Sequence, residues 1–179
     1  MLRPRRAAPA DAVRPTRAEI NLGNLRHNLR VMERAVGRSG RASVPETGVP
    51  EIWAVLKADA YGHGAPAVAR TLERAGASAI CVALLEEGLE LRAAGIALPI
   101  LVMGGYYGPH HRGLDDALEA KLTPVLYHPE QIDALGRTAR ERGAGPLAFH
   151  LKIDTGMARL GVRPSGANEL LDAATSTPG

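Results

Sequence analysis

Apolar positions along this chain fall into two alternating rhythms. Short apolar runs read as strands at Ile52–Lys57, Ile80–Ala83, Ile100–Met103, Thr123–Tyr127 and Leu147–Ile153. Between them, stretches with apolar residues at helical spacing predict helices over Ala65–Ala75, Leu85–Ala94, His110–Ala120, Pro129–Arg142 and Ala167–Ala174. Glycines punctuate the pattern: Gly76, Gly95 and Gly143 follow predicted helices, and Gly104-Gly105 ends a strand. Pro129 sits in a first helical turn, where its missing N–H costs nothing. An earlier helix is expected from Leu22 to about Val36. Asn21 is its cap, and Leu22, Leu25, Leu29 and Met32 form one apolar stripe.

Strand and helix alternating about five times implies a parallel sheet with crossover helices. An open doubly wound sheet and an eight-unit barrel both satisfy that rule. The dinucleotide fingerprint GxGxxG is absent from the first strand–helix turn, which Lys57 to Gly64 occupies instead. Three groups of chemically capable residues fall at strand C-terminal ends: Lys57, Met103-Gly104-Gly105, and Lys152 through Arg159. That distribution suits a barrel. A complete barrel needs about 250 residues. The expectation is therefore the N-terminal part of an α/β (β/α)8 barrel, with later strands missing. Residues 1–15, rich in Arg, Ala and Pro, read as a flexible arm, and residues 16–179 as the partial barrel domain. Gly37–Pro50 reads as a surface loop.

Charge and cysteine content narrow the partners. The formal net charge is only +3, and much of the excess lies in Arg3, Arg5, Arg6, Arg14 and Arg17. With aromatic residues at 3%, neither a basic folded face nor a base-stacking platform is indicated, so no nucleic-acid partner is expected. No apolar stretch approaches the roughly 20 residues of a membrane helix. No apolar core of an export signal follows the basic start, so no membrane partner and a cytoplasmic location are expected. The single cysteine, Cys81, lies in an apolar run and reads as a buried structural thiol.

The candidate chemistry centres on AVLKADAYGHG, Ala54 to Gly64. A desolvated lysine amine is a nucleophile able to form an imine with an aldehyde. Four residues on, the Tyr61 hydroxyl could bond a phosphate oxygen. The plainer alternative has Lys57 reaching to water and Tyr61 packing. The second segment, HLKIDTGMARLG, runs from His150 to Gly161. In a strand through His150–Asp154, His150, Lys152 and Asp154 share a face. Arg159 could return toward Lys152, and two cations there would repel unless one is neutralised. Glu86 and Glu87 read as helix-start residues, where negative charge is favoured. His110-His111 lacks companion ligands at metal spacing, so no metal is expected.

These motifs, in this order, resemble alanine racemase. Also similar are RAEINLGNLRHNL and GASAICVALLEEGLELRAAGIALPILVMGG, so the likeness runs from about Arg14 to Gly161. The resemblance implies a pyridoxal-phosphate barrel with a C-terminal β domain, acting as a homodimer. It implies that the parent enzyme interconverts L- and D-alanine by two-base proton transfer, supplying D-alanine for peptidoglycan. Lys57 would hold pyridoxal 5'-phosphate as an internal aldimine and serve as one base. Tyr61 would bond the cofactor phosphate. Met103 stands where the family commonly has a leucine beside the cofactor. Lys152 matches a position often carbamylated in that family, which would make it an anion and remove the repulsion with Arg159. Arg159 would contact the cofactor's phenolic oxygen and the substrate carboxylate.

The resemblance places the second base, a tyrosine, in the C-terminal domain, together with an arginine at the pyridine nitrogen and a stacked histidine. This sequence is expected to lack all three and to be inactive alone. Tyr106, Tyr107 and Tyr127 lie at non-matching positions and receive no role. Three alternatives stay open: a racemase for another amino acid such as serine, a non-catalytic cofactor-binding half-barrel, and a decarboxylase-like barrel relative.

Overall fold

The computed structural model describes residues 18–37, 50–106 and 113–177. Helix α1 (Leu22–Ala35) leads into five strand–helix units. The strands are β1 (Trp53–Val55), β2 (Ala79–Val82), β3 (Ile100–Val102), β4 (Thr123–Leu126) and β5 (His150–Leu151). The helices are α2 (Lys57–Gly62), α3 (Ala65–Ala75), α4 (Leu85–Ala93), α5 (Gly113–Glu119), α6 (Pro129–Glu141) and α7 (Ala167–Ser176). The strands form one parallel sheet in the order β1-β2-β3-β4-β5. Four consecutive crossovers in sequence order are the signature of a barrel wall rather than of a doubly wound sheet, whose order reverses.

Register shows which side chains line the inside. Trp53 pairs with Ala79, and Val55 with Cys81. Cys81 pairs with Leu101, Leu101 with Thr123, and Val125 with His150. This set forms the concave face. The alternate set, including Ile80, Val82, Ile100, Val102 and Leu126, faces the helices and is almost completely buried. Two apolar clusters result. Leu29, Val68, Leu72 and Leu91 close over β1–β3, and Leu114, Ile132, Leu135 and Leu170 close over β4 and β5. Burying such a side chain contributes roughly 1.5–3 kcal/mol.

The sheet is strongly curled. Five strands laid flat would separate the outer two by about 19 Å. Yet the rings of Trp53 on β1 and His150 on β5 meet with centroids 5.7 Å apart. That contact needs the concave face to close on itself.

Local signals explain the element ends. The Asn21 side chain accepts hydrogen bonds from the N–H groups of Gly23 and Asn24 and starts α1. Gly76 ends α3 where expected, its N–H donating to the Leu72 and Glu73 carbonyls. Below the sheet, the Arg92 guanidinium donates to the carbonyls of Ile96, Leu98, Ala120 and Lys121, tying the segments that enter β3 and β4. On the same segment, Glu73 accepts from the N–H groups of Ala97 and Leu98.

Two expectations need correction. The strand expected over Leu147–Ile153 is only His150–Leu151, followed by an isolated bridge between Ile153 and Val162. Its partner β4 stops at Leu126, so among the described residues the chain beyond Lys152 has no ladder partner on that side and pairs with its own return segment. The strand expected through Lys57 stops at Val55, and Lys57 opens a turn of opposite hand. The N-terminal arm, the loop before Pro50 and the His110–Arg112 start of the fifth predicted helix lie outside the described residues. Cys81 is buried, and burial pushes its thiol pKa up, as a structural thiol requires.

Candidate active site

Because all five strands run parallel, the segments leaving them share one rim. Lys57 follows β1, Ala83 to Glu87 follow β2, Met103-Gly104-Gly105 follow β3, and Lys152 to Arg159 follow β5. The sequence-derived candidates are thus on the same end of the sheet.

The first segment is unusual in its backbone. Leu56 makes the last ladder bond, its N–H donating to the Cys81 carbonyl at 2.8 Å. Then Ala58, Asp59, Ala60 and Tyr61 all take left-handed helical conformations, with φ between +51° and +55°. For residues with a Cβ this costs on the order of 1–2 kcal/mol each. Several bonds hold the turn. The Ala60 N–H donates to the Leu56 carbonyl at 2.9 Å, and the Gly64 N–H to the Asp59 carbonyl at 3.0 Å. Asp59 Oδ1 accepts from the Ala65 N–H at 2.6 Å and so starts α3. His63 Nδ1 lies 2.8 Å from the Ala60 carbonyl, which can only accept, so Nδ1 carries the proton. Glu87, 29 residues away, accepts from the Ala58 N–H at 2.6 Å. Backbone strain sustained this way is frequent at functional sites.

The turn sets the stage for Lys57 and Tyr61. Lys57 is half-buried, and its Nζ lies 5.9 Å from the centre of the Tyr61 ring. Tyr61 is 58% exposed. Of the five sequence-derived site residues, these two are brought into contact. Met103 stands just past β3, its N–H donating to the Val82 carbonyl. Gly105 is required beside it. Its φ is +72°, and a Cβ there would lie 2.5 Å from the Val125 carbonyl oxygen.

The second segment is a closed loop. Asp154 Oδ1 accepts from the N–H groups of Gly156 and Ala158, both at 3.0 Å. Those bonds hold its carboxyl below the usual carboxylate range, with Lys152 a smaller contributor. The Asp154 carboxylate therefore serves its own loop. Gly161 closes the loop, since a Cβ there would meet the Asp154 backbone nitrogen at 2.7 Å. Lys152 is half-buried and Arg159 exposed. Among the described residues no hydrogen bond or ion pair joins them to each other or to Lys57.

A charge pattern emerges from these bonds. The rim carboxylates Asp59, Glu87 and Asp154 are each engaged by backbone N–H groups. The cations Lys57, Lys152 and Arg159 have no ion pair among the described residues. The donor set thus comprises the amines of Lys57 and Lys152, the Arg159 guanidinium and the Tyr61 phenol. It suits a phosphorylated aldehyde: cations and a hydroxyl for the anionic group, a primary amine for the carbonyl.

Sequence reasoning missed the reach of Glu87. It does start α4, Oε2 accepting from the Ala83 and Leu84 N–H groups, as a helix-start residue should. Its bond to Ala58 has no local signal. Tyr106 and Tyr127 are both buried. The Tyr106 hydroxyl donates to the Gln131 carbonyl, and burial pushes its pKa up, so it stays protonated. Tyr107 and His110-His111 lie outside the described residues. Among those described, no cluster of His, Cys, Asp or Glu could hold a metal ion, and no helix is long and apolar enough to cross a membrane.

The family model described as alanine racemase, N-terminal domain, matches residues 20–179. The chain belongs to that family. An alanine racemase of Sorangium cellulosum is 55% identical over 166 residues, covering 93% of this chain and 42% of the relative. One of Carboxydothermus hydrogenoformans is 43% identical over 150 residues, covering 83% and 36%. The solved alanine racemase of Clostridium difficile superposes with a TM-score of 0.72 at 36% identity, covering 86% of this chain and 37% of that one. The chain thus spans about two-fifths of the length of the curated relatives it matches. The family is pyridoxal-phosphate-dependent, and its N-terminal domain is a barrel, which agrees with the curled parallel sheet.

Proposed function

We propose that this chain is the cofactor-bearing part of an alanine racemase, with Lys57 as the attachment point for pyridoxal 5'-phosphate. The observation that carries the reading is the presentation of Lys57 on a strained left-handed turn, on a rim whose cations form no ion pair among the described residues. Membership of the alanine racemase family supplies the substrate class.

In this reading the cofactor, when bound, acts as an electron sink that acidifies the α-hydrogen of an amino acid joined to it. The chain's own residues do the rest. Lys57 would hold the cofactor through Nζ; once the substrate's own amine takes its place there, the freed Lys57 amine would take or return the α-proton on one face. The Tyr61 hydroxyl would donate to the cofactor phosphate. Arg159 would donate to the substrate carboxylate and to the cofactor's phenolic oxygen. Lys152, if carbamylated, would balance the Arg159 charge. Met103 would pack beside the cofactor. Inversion needs a second base on the opposite face. By the family resemblance, that base is a tyrosine of the C-terminal domain, reaching across a homodimer; Tyr106 and Tyr127 are buried. The same reading gives cytoplasmic supply of D-alanine for peptidoglycan.

The test is turnover by the full-length enzyme that contains this chain. It should convert L-alanine to D-alanine faster than it converts L-serine. Preference for L-serine points to the serine alternative. Loss of carbon dioxide from a basic amino acid points to the decarboxylase alternative, and cofactor absorbance without racemisation to a binding module.

A further inference from the structure

Glu87 and Gln131 occupy matching places in two strand–helix units. Each is the third residue of a helix, α4 or α6, that follows a strand. Each caps its helix by accepting from two successive N–H groups with one oxygen. Gln131 Oε1 takes those of Tyr127 and His128 at 2.9 and 3.1 Å, and Glu87 Oε2 those of Ala83 and Leu84 at 2.8 and 3.1 Å. Capping at this place therefore needs a single acceptor, and an amide suffices. A carboxylate brings a second acceptor. Glu87 directs that oxygen, Oε1, across to the next loop, where it takes the Ala58 N–H at 2.6 Å. Ala58 is the first left-handed residue and the immediate neighbour of Lys57.

We propose that Glu87 is a positioning residue for Lys57: its second carboxylate oxygen pins the left-handed turn and so aims the Lys57 amine at the rim. Glu86, its exposed neighbour, takes no part. The inference rests on Lys57 being the cofactor lysine, and it adds a residue that acts through the backbone without touching cofactor or substrate. Displacing a reacting group by about 1 Å can cost on the order of a hundredfold in rate, so a single bond to the adjacent amide has leverage.

The experiment compares Glu87→Gln, Glu87→Ala and Gln131→Ala in the full-length enzyme. Glu87→Gln keeps one acceptor for the cap and turns an NH2 group toward Ala58. Glu87→Ala removes both, and Gln131→Ala removes a cap remote from Lys57. Two quantities are read: amide hydrogen exchange at Ala58, and the rate at which Lys57 takes pyridoxal phosphate, trapped by borohydride and located by peptide mass. Both Glu87 variants should exchange Ala58 faster and label Lys57 more slowly, each by about tenfold or more. Gln131→Ala should lower thermal stability and change neither quantity. If both Glu87 variants label Lys57 at the wild-type rate with Ala58 still protected, Glu87 is only a cap and the proposal is overturned. If wild-type enzyme takes no cofactor at Lys57, the functional reading fails on its own. Ala58 exchange then still decides the clamp, which unchanged protection overturns and lost protection supports.

Discussion

The rings of Trp53 and His150 meet edge to face at 5.7 Å, although β1 and β5 are the two outermost strands of the sheet. In an eight-stranded barrel the first and fifth strands stand opposite one another. The pair spans the lumen and holds the curl. Edge-to-face pairs contribute about 0.5–1.5 kcal/mol beyond burial. A double-mutant cycle of Trp53→Ala and His150→Ala, followed by urea unfolding, should give a coupling in that range. Additive effects would show that the two strands do not meet in solution.

Gly105 should tolerate no side chain. Gly105→Ala sets a methyl group against the Val125 carbonyl, a backbone atom that cannot swing aside, at a φ that disfavours alanine. The variant should lose more than about 1 kcal/mol, read as a lowered urea midpoint at unchanged slope. An unchanged midpoint would mean that β3 and β4 lie further apart than described.

Arg92 should not be replaceable by lysine. Its planar fork serves four carbonyls from two chain segments, a geometry that one ammonium cannot copy. Charge-assisted hydrogen bonds contribute about 1.5–3 kcal/mol, so Arg92→Lys should destabilise by roughly that amount. Stability equal to wild type would remove Arg92 from the framework.

Asp154 should confer an acid-side pH dependence on the loop that carries Arg159. Its folded pKa lies below the ordinary 3.8 because of the bonds from Gly156 and Ala158. The ionised carboxylate's contribution is complete above about pH 4 and is lost as pH falls through the lower folded value. Carbon-13 NMR of the carboxyl should place the midpoint under 3.8, and Asp154→Asn should remove the acid limb. A midpoint at or above 3.8 would show the loop bonds to be absent.

Much of this architecture was legible because it rests on local chemistry. Asn21 begins α1, Gly76 ends α3 and Gly143 follows α6, each from a side chain or backbone preference acting within a few residues. Strand positions followed from apolar runs, and parallel order followed from alternation. The left-handed turn did not show, because Ala58, Asp59, Ala60 and Tyr61 have no intrinsic preference for it. The turn is held in part by a bond from the Ala58 N–H to Glu87, 29 residues later, which no local pattern announces. The short β5 was missed for a related reason: the apolar run continues to Ile153, but its neighbour β4 ends at Leu126. Lys57 and Tyr61 stood out as a pair, whereas the engagement of Asp59, Glu87 and Asp154 by backbone amides is a tertiary property.

The central claim is that Lys57 carries the cofactor. The most direct measurement incubates the full-length enzyme with pyridoxal phosphate, reduces with borohydride and maps the labelled peptide. The label should lie on Lys57 and disappear in Lys57→Ala. A label on another lysine, or one that survives in Lys57→Ala, would contradict the account.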